Sequence, residues 1–201
     1  ETMTAPEEIK TAPEKKPEPQ PKAELNSRQQ QLIEKLKTLK KITRKELAQK
    51  IETAAVYLHS RGLGHGDRVA LAFGTSAEFL ILSWVAWSMG VVTVPLDTKR
   101  DTDELREYKI KVSGAKLLIT QEEYSKAPTA SGEVARMSGI VHEALILFTS
   151  GTTAYPKGAQ LTLQNLIVNA ESIIEWLHIN ENDRFLVQLP LHHINSTTFC
   201  L

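Results

Sequence analysis

From Ile42 onward the apolar positions of this chain change period in a regular succession. Leu47, Ile51, Ala54, Ala55 and Leu58 recur at helical intervals behind a capping box of Thr43 and Glu46, and Gly62 stands where such a helix can end. After the turn GHGDR, RVALAF reads as a buried strand and SAEFLILSWVAWSMG as a buried helix closing at Gly90. VVTVPL then reads as a strand, TDELREYKIKV as an amphipathic helix and AKLLIT as a strand. This βαβαβ order predicts an α/β fold, a mostly parallel sheet flanked by helices. A polar connector from about Gln121 to Val141 leads to an apolar strand, EALILFT, then a helix, LTLQNLIVNAESIIEWL, a strand, RFLVQLP, and the segment LHHINSTTFCL. Phe79, Trp84, Trp87 and Met89 share one apolar helix and are expected in the core.

Upstream the pattern fades. Ser27 and Gln30 have capping-box spacing, and Leu32, Ile33, Leu36 and Leu39 repeat at helical intervals, so order is expected to begin near residue 25. Residues 1–24 hold five of the nine prolines, interleaved with Glu and Lys, and offer almost nothing to bury. They read as a disordered linker, with residues 25–201 as one partial domain. A first residue of Glu1 rather than Met suggests a piece excised from something longer.

Composition narrows the partners. Lys+Arg and Asp+Glu balance at 24 each over 201 residues, which gives no global reason to expect nucleic acid or an anionic membrane. Between Arg28 and Lys50 eight basic residues face two acidic ones, Glu34 and Glu46, but no aromatics interleave, and a solvated helix face is the preferred reading. The longest apolar stretch, Phe79 to Val94, is broken by Ser83, Ser88, Gly90 and Thr93 and reads as core rather than as a membrane span. No signal peptide opens the chain, and the single cysteine, Cys200, has no metal-ligand spacing around it, which together predict a cytosolic protein with an inert thiol.

The densest chemistry lies in ILFTSGTTAYPKGAQLT, Ile146 to Thr162. A phosphate-binding loop needs small residues that let backbone N–H groups approach the anion, hydroxyl donors, and a cation within reach. Gly151 and Gly158 supply close approach or positive φ, Thr149, Ser150, Thr152 and Thr153 the hydroxyls, and Lys157 the charge. The nucleoside-triphosphate loop G-x-x-x-x-G-K-S/T does not fit, because Pro156 precedes the lysine and Gly158 follows it. No G-x-G-x-x-G follows any strand, so a dinucleotide fold is excluded as well.

The whole string T-S-G-T-T-x-x-P-K-G, behind an apolar run and followed by L-T-x-x-N-L, resembles the signature of the adenylate-forming superfamily. That superfamily includes acyl-CoA synthetases, fatty-acyl-AMP ligases and the adenylation domains of peptide synthetases. Three further segments agree in order: ITRKELAQKIETAAVYLHSRGLGHGDRVAL, the later VPLD, and QLPLHHINSTT with its P-L-x-H wording. The resemblance runs from about Ile42 to the end.

It implies an enzyme that lets a small-molecule carboxylic acid attack the α-phosphate of ATP with Mg2+, and that then passes the acyl group to a thiol of coenzyme A or of a carrier protein's pantetheine. Thr149, Ser150, Gly151, Thr152, Thr153, Lys157 and Gly158 would steady the outer phosphates, and His193 would orient the acyl substrate. His192 and His193 have no second pair of ligands at metal-binding spacing, and no metal site of the protein's own is expected. The remaining histidines, His59, His65, His142 and His178, read as ordinary surface or partly buried residues. Two departures stand out. Ala154 occupies a place where the family has glycine, and a Cβ at positive φ would cost roughly 1 kcal/mol. The family's Y-G-x-T-E and T-G-D segments and its small C-terminal domain do not occur before Leu201, so this chain alone is expected not to complete the reaction. The alternative from another class is a degenerate adenylation-like module that binds a partner and catalyses nothing, and a nucleic-acid binder using residues 28–50 stands below both.

Overall fold

A computed structural model describes residues 26–27, 30, 41–132, 143–149, 155–187 and 189–201. The chain divides into two compact units, Glu1–Lys41 and Ile42–Leu201. In the first, Ser27 and Gln30 are helical, and the Gln30 amide donates to the Asn26 carbonyl at 3.0 Å. The helix is therefore under way at Ser27. Leu32, Ile33, Leu36, Leu39 and the proline-rich residues 1–24 lie outside the described residues.

The second unit opens with helix α1, Arg44–Ser60. Its capping box is the expected one: the Glu46 amide donates to Thr43 Oγ1 at 3.1 Å, and the Thr43 amide to Glu46 Oε2 at 2.8 Å. Gly62, at φ 71°, ends it as expected, with its amide on the His59 carbonyl and that of Leu63 on the Leu58 carbonyl. Strand β1 (Arg68–Ala72), helix α2 (Ala77–Ser88), strand β2 (Val92–Pro95), helix α3 (Asp103–Ser113) and strand β3 (Leu117–Thr120) follow in the order read from the sequence. A short helix α4, Gln121–Ser125, is capped by Thr120. Strand β4 (Glu143–Thr149), strand β5 (Lys157–Thr162), helix α5 (Leu163–Leu177) and helix α6 (Ile194–Thr198) complete the unit.

The strands form one sheet in the order β3-β1-β2-β4-β5, parallel throughout except that β5 runs antiparallel to β4. Apolar runs make this sheet because both its faces are covered. Val69 and Leu71 of β1 pack with Ala54 and Leu58 of α1 and with Leu82 and Ala86 of α2. Ala70 points the other way, into a cluster with Val94 and Leu96 to which Ile110 of α3 contributes. Phe79, Trp87 and Met89 are buried as expected, and Trp84 is half-buried. One polar relay crosses this apolar interior. Trp87 Nε1 donates to Thr93 Oγ1 at 3.0 Å, and that hydroxyl donates to the Ala144 carbonyl at 3.2 Å, linking α2, β2 and β4.

Two local readings are corrected. RFLVQLP is not a strand over its described residues: Arg184 to Val187 have no sheet partner, and Phe185 is about half exposed and stacks on Phe199 at 6.0 Å. An apolar run becomes a strand only where it pairs with a sheet edge, and Arg184 to Val187 pair with neither edge strand, β3 nor β5. KGAQLT, read as loop running into helix, is that β5 edge strand. Exposed Lys, Gly, Ala and Gln carry no burial pattern, and the pairing with β4 alone defines it. The described part of the polar connector, up to Gly132, is better fastened than its composition suggests, because the Ala130 carbonyl accepts from Gln49 Nε2 and Thr53 Oγ1 of α1 at 3.1 and 2.9 Å. His59, His65 and His178 are exposed, and His142 lies outside the described residues.

Thr93→Val keeps volume but removes the acceptor of the buried Trp87 N–H. It should lower the unfolding free energy by about 1–3 kcal/mol in urea denaturation, the cost of an unsatisfied buried donor. Ser88→Ala, which removes a half-buried bond to a helix carbonyl, should cost less. Equal effects of the two would contradict a structural role for the relay.

Candidate functional site

Parallel strands deliver their following loops to one edge of the sheet, and in open α/β sheets ligands gather at that carboxyl edge. Two groups of the residues singled out in the sequence stand there. The first is the turn joining β4 to β5. Thr149 ends β4 and is the register partner of Lys157, which begins β5, and Thr149 Oγ1 donates to the Lys157 carbonyl at 3.4 Å. The antiparallel return thus brings residues eight apart in sequence side by side at the base of the loop, with Lys157 exposed. Ser150, Gly151, Thr152, Thr153 and Ala154 lie outside the described residues.

Gly158 is explained by close approach rather than by positive φ. It pairs with Phe148, and a Cβ there would stand 3.0 Å from Ile146 Cγ2 and 3.5 Å from the Phe148 ring. The glycine lets β5 lie flat on these two side chains immediately after Lys157.

The second group surrounds an open cleft of about 660 Å3. Phe73, Gly74 and Thr75 enter it from the end of β1, Asp97, Thr98, Lys99 and Arg100 from the end of β2, and Leu189, Pro190, His192 and His193 from the segment before α6. His193 thus reaches the cleft, whereas Thr149, Lys157 and Gly158 are not among its lining residues. Backbone geometry fixes His193: it is the N-cap residue of α6, and its carbonyl accepts from the Thr197 amide at 3.2 Å and from Thr197 Oγ1 at 3.3 Å.

Sequence reading missed what holds the cleft. Asp97 Oδ1 accepts the Lys99 and Arg100 amides at 2.9 and 3.2 Å, and the Asp97 amide donates to Asp101 Oδ2 at 2.9 Å. Asp101 in turn pairs with Lys109 Nζ of α3 at 2.5 Å, both side chains almost fully buried, and Lys109 lies 5.7 Å from the centre of the Phe148 ring. His192 Nε2 stands 3.2 Å from Asp97 Oδ2, and the His192 and His193 rings are 4.5 Å apart. The available signal was Lys109, four residues after Leu105 and four before Ser113, hence on the helix face that turns inward. A charge there calls for a buried partner.

These surroundings set the ionisation of the cleft. Burial disfavours the His192 cation and lowers its pKa, Asp97 opposes that shift, and the neighbouring His193 reinforces it. Burial would raise the Asp97 carboxyl, but the Lys99 amide, the His192 and Arg100 charges and the Arg100 amide outweigh it and hold Asp97 below its ordinary value. At neutral pH the pair is therefore a neutral imidazole beside a carboxylate. Among the described residues no group of three or more His, Cys, Asp or Glu is placed to hold a metal ion. Nor, among them, is any helix long and apolar enough to cross a membrane. Cys200 is half-buried, and burial pushes its thiol pKa up, away from reactivity.

Comparison with known proteins places this arrangement among relatives. The family described as AMP-binding enzyme matches residues 20–143 and 141–201. The 2-succinylbenzoate–CoA ligase of Bacillus licheniformis is 34% identical over 175 residues, covering 78% of this chain and 36% of the relative. The feruloyl-CoA synthase of an Amycolatopsis species is 29% identical over 170 residues, covering 76% and 34%. Among solved structures, o-succinylbenzoate coenzyme A synthetase of Bacillus subtilis in complex with ATP and magnesium ion superposes with a TM-score of 0.70 at 27% identity, covering 79% of this chain and 47% of that one. The same enzyme in complex with its acyl-adenylate intermediate gives 0.69 at 28% identity, covering 80% and 47%. The chain spans about a third of the length of the curated relatives it matches.

NMR titration of the imidazoles should place the His192 midpoint below the ordinary histidine value near 6.5. Because its folded-state pKa is depressed, stability from neutral His192 is present above pH 6.5 and lost as pH falls through the folded midpoint. Asp97→Asn removes the larger of the two charges that raise this pKa, the other being Asp101, so the midpoint should fall further. A midpoint unmoved or raised in Asp97→Asn would contradict the assigned contact.

Proposed function

This chain belongs to the AMP-binding enzyme family, and on that premise we propose that it carries the ATP-phosphate and acid-binding part of an AMP-forming acid–CoA ligase. In the proposed reaction a carboxylate attacks the α-phosphate of ATP, giving an acyl-adenylate and pyrophosphate, and the acyl group then passes to a thiol. The observation that carries the reading is the β4–β5 hairpin, which sets a threonine hydroxyl and a lysine side by side at the carboxyl edge of a parallel sheet. Pyrophosphate departure accumulates negative charge, and fixed donors with a nearby cation stabilise it without a protein nucleophile. Lys157 supplies the cation and Thr149 a hydroxyl. Gly158 keeps the hairpin close-packed, and Ser150, Gly151, Thr152 and Thr153 would complete the cradle. Mg2+ would arrive bound to the nucleotide, and no step is assigned to a protein-held metal.

The cleft of about 660 Å3 is of a size for a small organic acid, and His193 would orient it there. Relatives whose names specify 2-succinylbenzoate and feruloyl substrates favour an aryl or acyl acid, and their designation as CoA ligases favours coenzyme A over a carrier-protein pantetheine.

Pyrophosphate exchange into ATP, run on the complete protein that contains this chain with a panel of aryl, fatty and amino acids, should be acid-dependent. No exchange with any acid would overturn the enzymatic reading in favour of a non-catalytic binding module. Lys157→Ala should weaken Mg-ATP binding roughly tenfold or more, the loss of one charge-assisted contact. Unchanged affinity in that variant would remove the phosphate assignment.

A further inference from the structure

Tyr108 and Tyr155 take no part in the chemistry above, yet they join its two halves. The Tyr108 ring on α3 lies 4.6 Å from that of Tyr155, with the planes 32° apart. Tyr108 Oη donates to the Pro156 carbonyl at 3.4 Å, and Tyr155 Oη donates to Glu104 Oε1 at 3.3 Å. Three contacts therefore hold the two residues immediately before Lys157 against consecutive turns of one helix. Their effect carries forward because the Pro156 ring fixes φ and leaves little freedom between Tyr155 and Lys157. The helix itself is anchored, since Lys109, the residue after Tyr108, is buried against Asp101 and over Phe148.

We propose that Tyr108 is a positioning residue that, through Tyr155 and Pro156, sets Lys157 in place for the outer phosphates of a nucleoside triphosphate. The proposal rests on the phosphate assignment of the preceding subsection. It distinguishes Tyr108 from an ordinary packing residue, because the aromatic pair is exposed on the Tyr155 side and contributes more to loop placement than to the core. An aromatic contact of this kind corresponds to roughly a 2- to 10-fold change in affinity.

The test is Mg-ATP titration of the chain, followed by amide chemical shifts up to millimolar nucleotide, in wild type, Tyr108→Ala, Tyr108→Phe, Lys157→Ala and the Tyr108→Ala/Lys157→Ala double variant. Tyr108→Ala should weaken binding roughly 2- to 10-fold, Tyr108→Phe should restore most of it by keeping the stack, and Tyr108→Ala should add nothing once Lys157 is gone. A purely structural residue would lose the same factor in both backgrounds. That result, or unchanged affinity in Tyr108→Ala, overturns the proposal while leaving the phosphate assignment intact. Unchanged affinity in Lys157→Ala instead overturns the assignment itself and the proposal with it. Should Tyr108→Ala fail to fold, Tyr155→Leu breaks the same stack from its exposed side and is read in the same way.

Discussion

Burial of the central strands on both faces is the constraint from which the rest of this structure follows. Val69, Leu71, Val92 and Val94 are shielded by α1 and α2 on one side and by α3 on the other, so no polar group on them can meet a ligand. The interior tolerates the Trp87–Thr93–Ala144 relay only because each group in it is satisfied. Chemistry is left to the ends of the strands. At the carboxyl ends of β1, β2 and β4 the chain places small polar residues, an aspartate pair and a glycine-flanked lysine, and there both the cleft and the hairpin stand.

Helix α3 connects them. One face carries Lys109 into the apolar layer, where it neutralises Asp101 and so fixes the loop that presents Asp97 to His192. Removing either partner of so buried a pair would leave an uncompensated charge, which makes the pair a constraint on register more than a source of net stability. The adjacent residue, Tyr108, faces the hairpin arm. The same helix thereby ties the position of the proposed phosphate lysine to that of the proposed acid cleft, although the two do not touch.

Where local rules decide the outcome, the sequence was readable. Thr43 with Glu46 and the glycines at 62 and 90 mark helix ends by a side-chain oxygen and positive φ, and the apolar runs between them could only be buried strands or helices. Where a partner distant in sequence decides, it was not. KGAQLT is a strand only because β4 offers an edge, and RFLVQLP, over its described residues, is not one because it pairs with neither β3 nor β5. The site followed the same division. Thr149, Lys157 and Gly158 stand out as candidates in the string Ile146 to Thr162 and His193 in the separate P-L-x-H segment, whereas Asp97, Asp101 and Lys109 acquire meaning only when β2 and α3 are packed together.

The central claim is that this carboxyl edge, at the β4–β5 hairpin, receives the outer phosphates of ATP. Mapping backbone amide shifts across the whole chain as Mg-ATP is added reads this most directly, since it registers even weak binding and locates it. The account predicts the largest changes at Thr149, Lys157 and Gly158, with Gly64 and Gly66 at the opposite edge of the sheet unmoved. Largest changes at that opposite edge, or none anywhere at millimolar nucleotide, would contradict it.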